Sequence, residues 1–306
     1  MTRWIAPIRW LSVRFFRGLV FASVAASRAD VCAQPTQVVE EQFDVPVLVL
    51  LESGRQITHP IRVTVFRDSA VSARQPAVVI SHGRPGDVVG RRTFGRARYA
   101  EISRWFVDQG FIVAIPTRIG YGVTGGDDLE ESGTCGLKRF GPGLAAAAEQ
   151  TAAVIGWLQQ RQDVDANRVV ALGQSFGGAA VVALTARNPP GLTAAINFAG
   201  GAGGDPKNRP GYPCSPEALE RLFHEYGKSG RVPTLWVYAA NDHYWGATLP
   251  QRWARSYQGA GAPVEFVMLG RTGDEGHQLF ARSLDSWRPL VARFLTSRGI
   301  AMDASR

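Results

Sequence analysis

The sequence predicts an α/β protein built on a mostly parallel sheet of about eight strands, with helices on both faces. Beyond residue 33, short apolar runs alternate along the chain with longer stretches in which apolar residues recur at helical spacing. Most of these runs are continuously apolar, which is typical of parallel strands buried on both faces. With 45% hydrophobic and 20% charged residues, the 306-residue chain has the composition of an ordinary globular protein.

Eight segments have the length and residue types of strands. The first two are predicted to pair antiparallel, because a turn around Ser53-Gly54 joins them. The others are separated by helical stretches, which favours parallel pairing. In chain order the predicted strands are 45–51, 61–66, 77–80, 111–115, 168–172, 193–198, 234–239 and 264–269.

Six segments are predicted to be helices. The first, 97–109, has Ile102 and Phe106 on one face and Gly110 as a stop signal. Ser215, followed by Pro and Glu, is predicted to cap a later helix. In chain order the predicted helices are 97–109, 143–160, 176–186, 215–228, 249–258 and 284–297.

A long irregular stretch, 116–142, lies between the fourth strand and the Ala-rich second helix. No internal repeat or low-complexity linker divides the chain after residue 33. Residues 34–306 are therefore predicted to form a single domain.

The first 33 residues are predicted to be an export signal. Four arginines precede an apolar stretch, 18–27, that is too short to anchor the chain in a bilayer. Val31-Cys32-Ala33 then resembles a signal-peptidase site, with cleavage before Gln34. We expect a periplasmic or secreted protein with no integral membrane segment after signal removal. A disordered or amphipathic N-terminal arm is the alternative.

The net charge gives no reason to expect a nucleic-acid partner. The predicted signal carries five Arg and one Asp, so its removal lowers the net charge from +8 to about +4. Arg91, Arg92, Arg96 and Arg98 do cluster, but they flank a predicted helix and are interpreted as a solvated patch. The expected partner is a small molecule, and the oligomeric state stays open.

The cysteines fit the export prediction. Cys32 would leave with the signal, and Cys135 and Cys214 remain as an even pair in loops rich in Gly and Pro. In an oxidising compartment these two could form a disulfide between the loops. The sequence has no short-spaced Cys and His pairs of the zinc-binding kind, so no metal is expected.

The run Gly173-Gln174-Ser175-Phe176-Gly177 is the strongest indication of chemistry. It lies between a predicted strand and a predicted helix. Such a sharp turn needs small residues two positions either side of the serine, because larger ones would collide with neighbouring backbone. The turn exposes the Ser175 hydroxyl, which predicts a nucleophile. A Gly-rich turn with a solvent-facing serine is the alternative.

A nucleophilic serine needs a base, and the base needs a group that orients it. Asp242 follows the strand 234–239, and His277 lies in a Gly-flanked loop after the strand 264–269. Because reactive groups collect at the carboxyl ends of parallel strands, we predict that Ser175, His277 and Asp242 are the catalytic residues.

The other histidines and nearby acids are weaker candidates. His59 and His224 are interpreted as plain surface or core residues, and His243 is expected to point away from the nucleophile. Asp274 and Asp205 are the alternatives for the acid.

An oxyanion also needs two backbone donors. One is predicted to be the N–H of Phe176, directly after the nucleophile. The other is assigned to the N–H of Arg84 in the loop after the third strand, with Gly83 allowing the turn. His82 is interpreted as a structural residue that holds this loop.

Several stretches resemble the α/β-hydrolase superfamily and, within it, bacterial dienelactone-hydrolase-like proteins. The chain order of serine, acid and histidine matches that superfamily. The resemblance implies the α/β-hydrolase fold over the mature length and hydrolysis without a cofactor. The stretches that carry it are Val79-Ile80-Ser81-His82-Gly83, Gly173-Gln174-Ser175-Phe176-Gly177-Gly178, Asn188-Pro189-Pro190-Gly191, Tyr238-Ala239-Ala240-Asn241-Asp242 and Gly276-His277-Gln278-Leu279-Phe280.

One departure limits what the resemblance implies. Dienelactone hydrolases use a cysteine nucleophile, whereas this chain has Ser175, so lactone specificity is not implied. The prediction is a serine carboxylesterase that cleaves small or medium soluble esters through an acyl-enzyme. A serine peptidase resembling the prolyl-oligopeptidase catalytic domain and a non-catalytic binding protein on a hydrolase scaffold are the alternatives.

Three aromatic residues, Tyr121, Tyr244 and Trp245, follow strand ends and are predicted to line the substrate pocket, with plain packing as the alternative. The segment 199–232 could cap this pocket. A formal Gly-x-Gly-x-x-Gly at 120–125 runs into an acidic segment instead of an apolar helix, and acidic residues repel a pyrophosphate. It is interpreted as a flexible loop over the site, and no dinucleotide is expected.

Overall fold

One eight-stranded sheet organises the part of the chain that the structure describes. The computed structural model describes residues 36–300 and 302, together with positions 1, 2, 4 and 6 near the start of the chain. The predicted signal-peptidase site and Cys32 lie outside the described residues. Residues from Thr36 onward form one compact unit.

The predicted fold class is confirmed by the strand order, which is β1-β2-β4-β3-β5-β6-β7-β8. The hairpin β1–β2 is antiparallel and joins β4 in antiparallel fashion, whereas all pairs from β4 to β8 are parallel. The strands are β1 (Val38–Leu50), β2 (Gln56–Asp68), β3 (Gln75–Ser81), β4 (Ile112–Thr117), β5 (Val164–Gln174), β6 (Leu192–Phe198), β7 (Thr234–Ala239) and β8 (Val264–Leu269).

Both hairpin strands are longer than the apolar runs predict. In β1 the second half alternates buried and exposed residues, as in a strand with one face in water. The central strands carry continuous apolar runs, and Val79, Ile80 and Leu172 are fully buried. Strand length follows the apolar run in β7 and β8, whereas β5, like the two hairpin strands, extends beyond its apolar run.

The helices begin and end within a few residues of their predicted positions. Two short helices, Val88–Arg92 and Leu279–Arg282, are not predicted by the sequence pattern. The helices are α1 (Val88–Arg92), α2 (Ala100–Asp108), α3 (Phe140–Gln159), α4 (Phe176–Thr185), α5 (Pro216–Ser229), α6 (Thr248–Gly259), α7 (Leu279–Arg282) and α8 (Leu284–Thr296).

Two helix starts differ from prediction for reasons seen in the backbone. Helix α2 begins at Ala100 because Tyr99 has a φ of +43°, in the left-handed region. Ser215 occupies the N-cap position of α5, as predicted, but it has a positive φ, +50°, and its side chain makes no capping hydrogen bond. Its hydroxyl instead donates a hydrogen bond to the carbonyl oxygen of Cys135, 3.0 Å away.

The interpretation of the arginine cluster as a solvated patch is wrong for Arg91 and holds for Arg92 and Arg98, which are exposed, while Arg96 is half-buried. Arg91 is buried and pairs with Asp128 at 2.9 Å. Arg96 and Arg98 both form ion pairs with Glu40 on β1. These cations are held by acids from distant parts of the chain, which residue spacing does not reveal.

Cys135 and Cys214 are joined as a disulfide, with their Cα atoms 5.0 Å apart. The bond links the 131–139 loop before α3 to the 199–215 loop before α5. Across the described residues, every helix is too short or too polar to cross a membrane.

Candidate active site

Ser175 occupies a sharp turn between β5 and α4. Its φ is +56°, a value that residues with a side chain rarely adopt. A Cβ at position 173 would lie 2.3 Å from the Gly177 carbonyl oxygen, and one at position 177 would lie 2.2 Å from that of Ser81. Both flanking glycines are therefore required by close backbone contacts, as the motif predicts.

His277 bridges Ser175 and Asp242. Its Nε2 atom lies 3.0 Å from the Ser175 Oγ atom, and its Nδ1 atom lies 3.0 Å from the Asp242 Oδ2 atom. The carboxyl side chain of Asp242 is fully buried and the imidazole is nearly so. The structure thus brings the three predicted residues together in hydrogen-bond contact.

Backbone donors hold the Asp242 carboxylate in place. Its Oδ1 atom accepts hydrogen bonds from the N–H groups of Tyr244 (2.7 Å) and Trp245 (3.2 Å). The other oxygen remains directed at His277. Such a carboxylate can fix the imidazole tautomer with the proton on Nδ1, which leaves Nε2 free to accept from the serine hydroxyl.

Two aromatic rings enclose the imidazole. The Tyr244 ring stacks on His277 with centroids 3.8 Å apart and planes at 19°. Trp245 contacts it edge-on at 5.3 Å, and its indole N–H donates to the Ala199 carbonyl oxygen at 2.7 Å. These contacts limit rotation of the imidazole and exclude water from one side of it.

The loop 81–84, which we call the oxyanion loop after its predicted role, lies against Ser175. A Cβ at position 83 would be 3.4 Å from that of Ser175. Within the described residues the Arg84 N–H donates to no acceptor. Phe176 is the first residue of α4, where N–H groups have no intrahelical acceptor. Both residues line the same cleft as Ser175, and their N–H groups have no acceptor within the described residues.

The predicted structural role of His82 agrees with its contacts. Its Nε2 atom accepts from the Arg118 N–H (3.1 Å), so the proton is on Nδ1, which donates to the Gly83 carbonyl oxygen (2.7 Å). Burial, and then the charge of Arg118, hold the pKa of His82 well below its ordinary value of 6.5. The ring is neutral at pH 7.

A cleft of about 480 Å³ opens over Ser175. Its walls combine small residues of the 201–206 segment with polar and charged side chains, and the disulfide lies in one wall. Tyr244 and Trp245 are among its lining residues, as predicted. The others include Arg84, Arg91, Glu130, Glu131, Ser132, Cys135, Lys138, Phe176, Gly203, Asp205 and Cys214.

The prediction for Tyr121 as a pocket residue is wrong. Its side chain is fully buried behind the cleft, where its hydroxyl donates to the Glu130 carboxylate. The turn around it is closed by the Gly120 N–H and the Gly125 carbonyl oxygen, 2.7 Å apart. The acidic segment that follows is anchored, since Asp128 accepts two hydrogen bonds from the Arg84 guanidinium at 2.7 Å. The predicted flexibility of the 120–125 loop stays a prediction.

Two side chains near the site are missed by the sequence argument. Glu275 accepts from the N–H groups of His277 and His243, both at 3.0 Å. Arg118 contacts the oxyanion loop from the end of β4. A charged residue directly after a buried strand was a usable signal for Arg118, whereas nothing in its local sequence distinguishes Glu275.

The described residues contain no group of three or more His, Cys, Asp or Glu side chains placed to hold a metal ion. Ser175, His277 and Asp242 offer a hydroxyl, an imidazole and a carboxylate to the cleft, and the neighbouring backbone offers amide donors. That set can carry out acyl transfer to and from a serine.

Residues 61–275 match the family model of the dienelactone hydrolase family. The chain belongs to this family. It is a hydrolase that acts on ester bonds, with the α/β-hydrolase fold. No curated protein matches the chain significantly.

Solved structures share the fold at low sequence identity. A Klebsiella pneumoniae protein assigned as a dienelactone hydrolase is 16% identical with a TM-score of 0.57, over 86% of this chain and 98% of that one. An esterase of Pyrococcus furiosus is 13% identical with a TM-score of 0.55, over 84% and 90%. The acylaminoacyl peptidase of Pyrococcus horikoshii is 13% identical with a TM-score of 0.58, over 85% of this chain and 41% of that one.

Proposed function

We propose that this family member is a serine carboxylesterase that uses Ser175, His277 and Asp242 as a catalytic triad. The observation that carries the proposal is the pair of 3.0 Å contacts that connect the hydroxyl, imidazole and carboxylate in order. Nothing in the stability of the fold requires these three groups to meet at the carboxyl edge of a sheet. Their meeting beside two unused backbone donors supports a catalytic role.

In the acylation step, the Nε2 atom of His277 takes the proton of the Ser175 hydroxyl as Oγ attacks the ester carbonyl carbon. The negative oxygen of the tetrahedral intermediate accepts from the N–H groups of Phe176 and Arg84. Asp242 stabilises the imidazolium. Collapse of the intermediate breaks the bond to the alcohol, which leaves with the proton from Nε2.

In the deacylation step, water takes the place of the alcohol. His277 accepts a proton from the water as its oxygen attacks the acyl carbon, and the second tetrahedral intermediate uses the same two donors. Its collapse returns the proton to the Ser175 oxygen and releases the acid. The enzyme is unchanged after one cycle, and no redox partner is needed.

The form of the cleft favours soluble esters of small or medium size. Charged and polar side chains, among them Glu131, Ser132 and Lys138, line the cleft beside its apolar residues, and a long acyl chain would have to lie against them. The disulfide joins two segments that both line the cleft, 131–139 and 199–215, and limits how far they can move apart.

The test is hydrolysis of p-nitrophenyl esters across acyl lengths, with Ser175→Ala as the control. We expect turnover that falls with acyl length and is lost by at least about 10³-fold in Ser175→Ala, because the nucleophile is gone. Circular dichroism and urea unfolding check that the variant is folded. Undiminished turnover in folded Ser175→Ala would place the nucleophile elsewhere.

Two further assays on the same purified protein distinguish the alternative functions. A serine peptidase would share the triad, and the likeness to an acylaminoacyl peptidase supports keeping peptides in the panel. Turnover of N-acylated peptides that exceeds ester turnover would favour that activity. A non-catalytic binding protein would leave Ser175 unlabelled by a fluorophosphonate probe.

We also propose that the chain is exported as a single domain from residue 34. The disulfide supports this, since such bonds persist in oxidising compartments. Mass spectrometry of the protein from its native cell fraction should find a mature N-terminus at Gln34. An intact N-terminus in the cytoplasmic fraction would contradict export.

A further inference from the structure

The mechanism above does not use the most deeply buried cation near the site, Arg118. Its side chain, at the carboxyl end of β4, is fully inaccessible to water. Burying a guanidinium is costly unless its donors and its charge are matched. The hydrogen-bond and ion-pair partners of Arg118 therefore indicate what the residue does.

Three of these contacts are made to the oxyanion loop. The Arg118 Nη1 atom donates to the carbonyl oxygen of His82 (2.7 Å) and to the Ser81 hydroxyl (3.2 Å). Its backbone N–H donates to the His82 ring, which in turn donates to the carbonyl oxygen of Gly83. One arginine thus constrains, directly or through His82, each of the three loop residues that precede Arg84.

The charge of Arg118 is matched by Glu130. The Glu130 carboxylate, also fully buried, accepts from the Nε (2.5 Å) and Nη2 (3.3 Å) atoms of Arg118. The planar fork of an arginine allows two of its nitrogens to face the carboxylate while the third faces the loop. A lysine at this position could make only part of this set of contacts.

The same acidic segment holds the far end of the loop. The Arg84 guanidinium makes two hydrogen bonds of 2.7 Å with Asp128, and its Nη1 atom lies 3.6 Å from the Glu130 Oε2 atom. The segment 128–130 therefore contacts the arginine that supports the loop and the arginine whose backbone N–H is the assigned donor.

We propose that the buried pair Arg118–Glu130 is a positioning device for the oxyanion hole. This inference rests on the proposed esterase function. Arg118 touches no substrate atom; it fixes the oxyanion loop so that the Arg84 N–H meets the developing oxyanion. This proposal also gives a role to the acidic segment 128–130, which the mechanism above does not use.

The test compares Arg118→Lys with Arg67→Lys. Arg67 forms a similar two-point contact with Glu41, at 3.0 and 3.1 Å, on the hairpin β1–β2. It lies at the end of β2 that pairs with Val113, away from the end of β4 that leads to Arg118. For Arg118→Lys we expect kcat for a p-nitrophenyl ester to fall about 10- to 100-fold with KM changed less than about threefold, because a misplaced oxyanion donor costs the transition state alone. Arg67→Lys should keep the wild-type kcat.

A second readout separates positioning from loss of stability. A trifluoromethyl ketone forms a tetrahedral adduct with serine, and its oxygen occupies the oxyanion hole. Its affinity should fall in Arg118→Lys by the same factor as kcat/KM. Glu130→Gln keeps polar atoms at this position but removes the charge. We expect it to lower kcat/KM and the ketone affinity by equal factors, which are smaller than those for Arg118→Lys.

Each outcome has a separate meaning. Wild-type protein that neither hydrolyses esters nor binds the ketone would contradict the proposed function and, with it, this inference. With an active wild type, a folded Arg118→Lys that has unchanged kcat and ketone affinity would overturn the positioning role. Should Arg118→Lys fail to fold, the same comparison on Glu130→Gln decides, and unchanged values there would overturn it.

Discussion

At the scale of single residues, the site depends on a strained backbone conformation at Ser175. The positive φ of Ser175 costs on the order of 1–3 kcal/mol. Backbone hydrogen bonds hold this conformation: the Ser175 N–H donates to the Phe198 carbonyl oxygen (2.9 Å), and the Ser175 carbonyl oxygen accepts from Gly201 (3.1 Å). The turn is therefore held by β6 and the loop that follows it as well as by its own glycines.

His82 makes native stability depend on pH. Its pKa is depressed in the folded protein, chiefly by burial, so only the unfolded chain takes up a proton as pH falls below about 6.5. Stability that is fully present above that value is then lost at up to about 1.4 kcal/mol per pH unit. We expect the free energy of unfolding in urea to fall between pH 7 and 5, and to fall less steeply in His82→Gln.

The variant is the control for this prediction, because every other titrating group is present in both proteins. The quantity to compare is the slope of the unfolding free energy against pH. Equal slopes for the wild type and His82→Gln would show that the native state protonates His82 as readily as the unfolded chain does.

At the scale of elements, the acid and the base come from two neighbouring strand ends that one side chain ties together. The loop after β7 carries Asp242 and the loop after β8 carries His277. Glu275 accepts N–H groups from both loops, and its Oε2 atom lies 3.0 Å from the His243 Nδ1 atom. A Cβ at position 276 would lie 2.8 Å from the Asp242 N atom, so the two loops are in close contact there as well.

Removing the Glu275 carboxylate should slow the chemical step. In Glu275→Ala the His277 backbone loses an acceptor, and a small displacement of the imidazole is costly to the reaction. We expect kcat to fall about tenfold with little change in KM. Glu275→Gln keeps an amide oxygen for both N–H groups and should stay within about twofold of wild type.

Steady-state kinetics on a p-nitrophenyl ester check both variants. Equal kcat values for wild type and Glu275→Ala would mean that the stacked Tyr244 and the Asp242 hydrogen bond hold the imidazole unaided.

At the scale of the whole molecule, stability comes from a sheet that is covered on both faces at its centre and open to water at its antiparallel edge. Leu172 on β5 is fully buried, three residues before the nucleophile, whereas Leu48 on β1 is 53% exposed. Helix α4, which follows the nucleophile, is buried along its whole length. The nucleophile thus lies between a buried strand and a fully buried helix.

A matched pair of leucine substitutions should show this difference. Leu172→Ala is expected to lower the free energy of unfolding by about 2–5 kcal/mol, because it removes buried methyl groups and leaves a cavity. Leu48→Ala should change it by less than about 0.5 kcal/mol. Urea unfolding measures both, and similar losses for the two variants would contradict the burial described for them.

Local patterns in the sequence were enough to predict the fold class, the parallel strands and the three residues that meet at the candidate site. Strands β7 and β8 begin and end where the apolar runs predict. The turn at Ser175 needs glycines within two residues of it, so its signal is also local. Because parallel strands end at one edge of a sheet, the positions of Asp242 and His277 in loops after two such strands predict that both lie near Ser175.

The tertiary structure alone decided which distant residues are partners. Tyr121 is buried rather than in the cleft, Arg91 is paired rather than solvated, and Arg118 reaches Glu130 and the oxyanion loop at once. Such pairings depend on which elements become neighbours across the sheet, and residue spacing carries no record of that. A charge that is buried without a partner is costly, so each buried arginine has to pair with an acid that the fold brings beside it. The sequence alone does not indicate which of its acids that is.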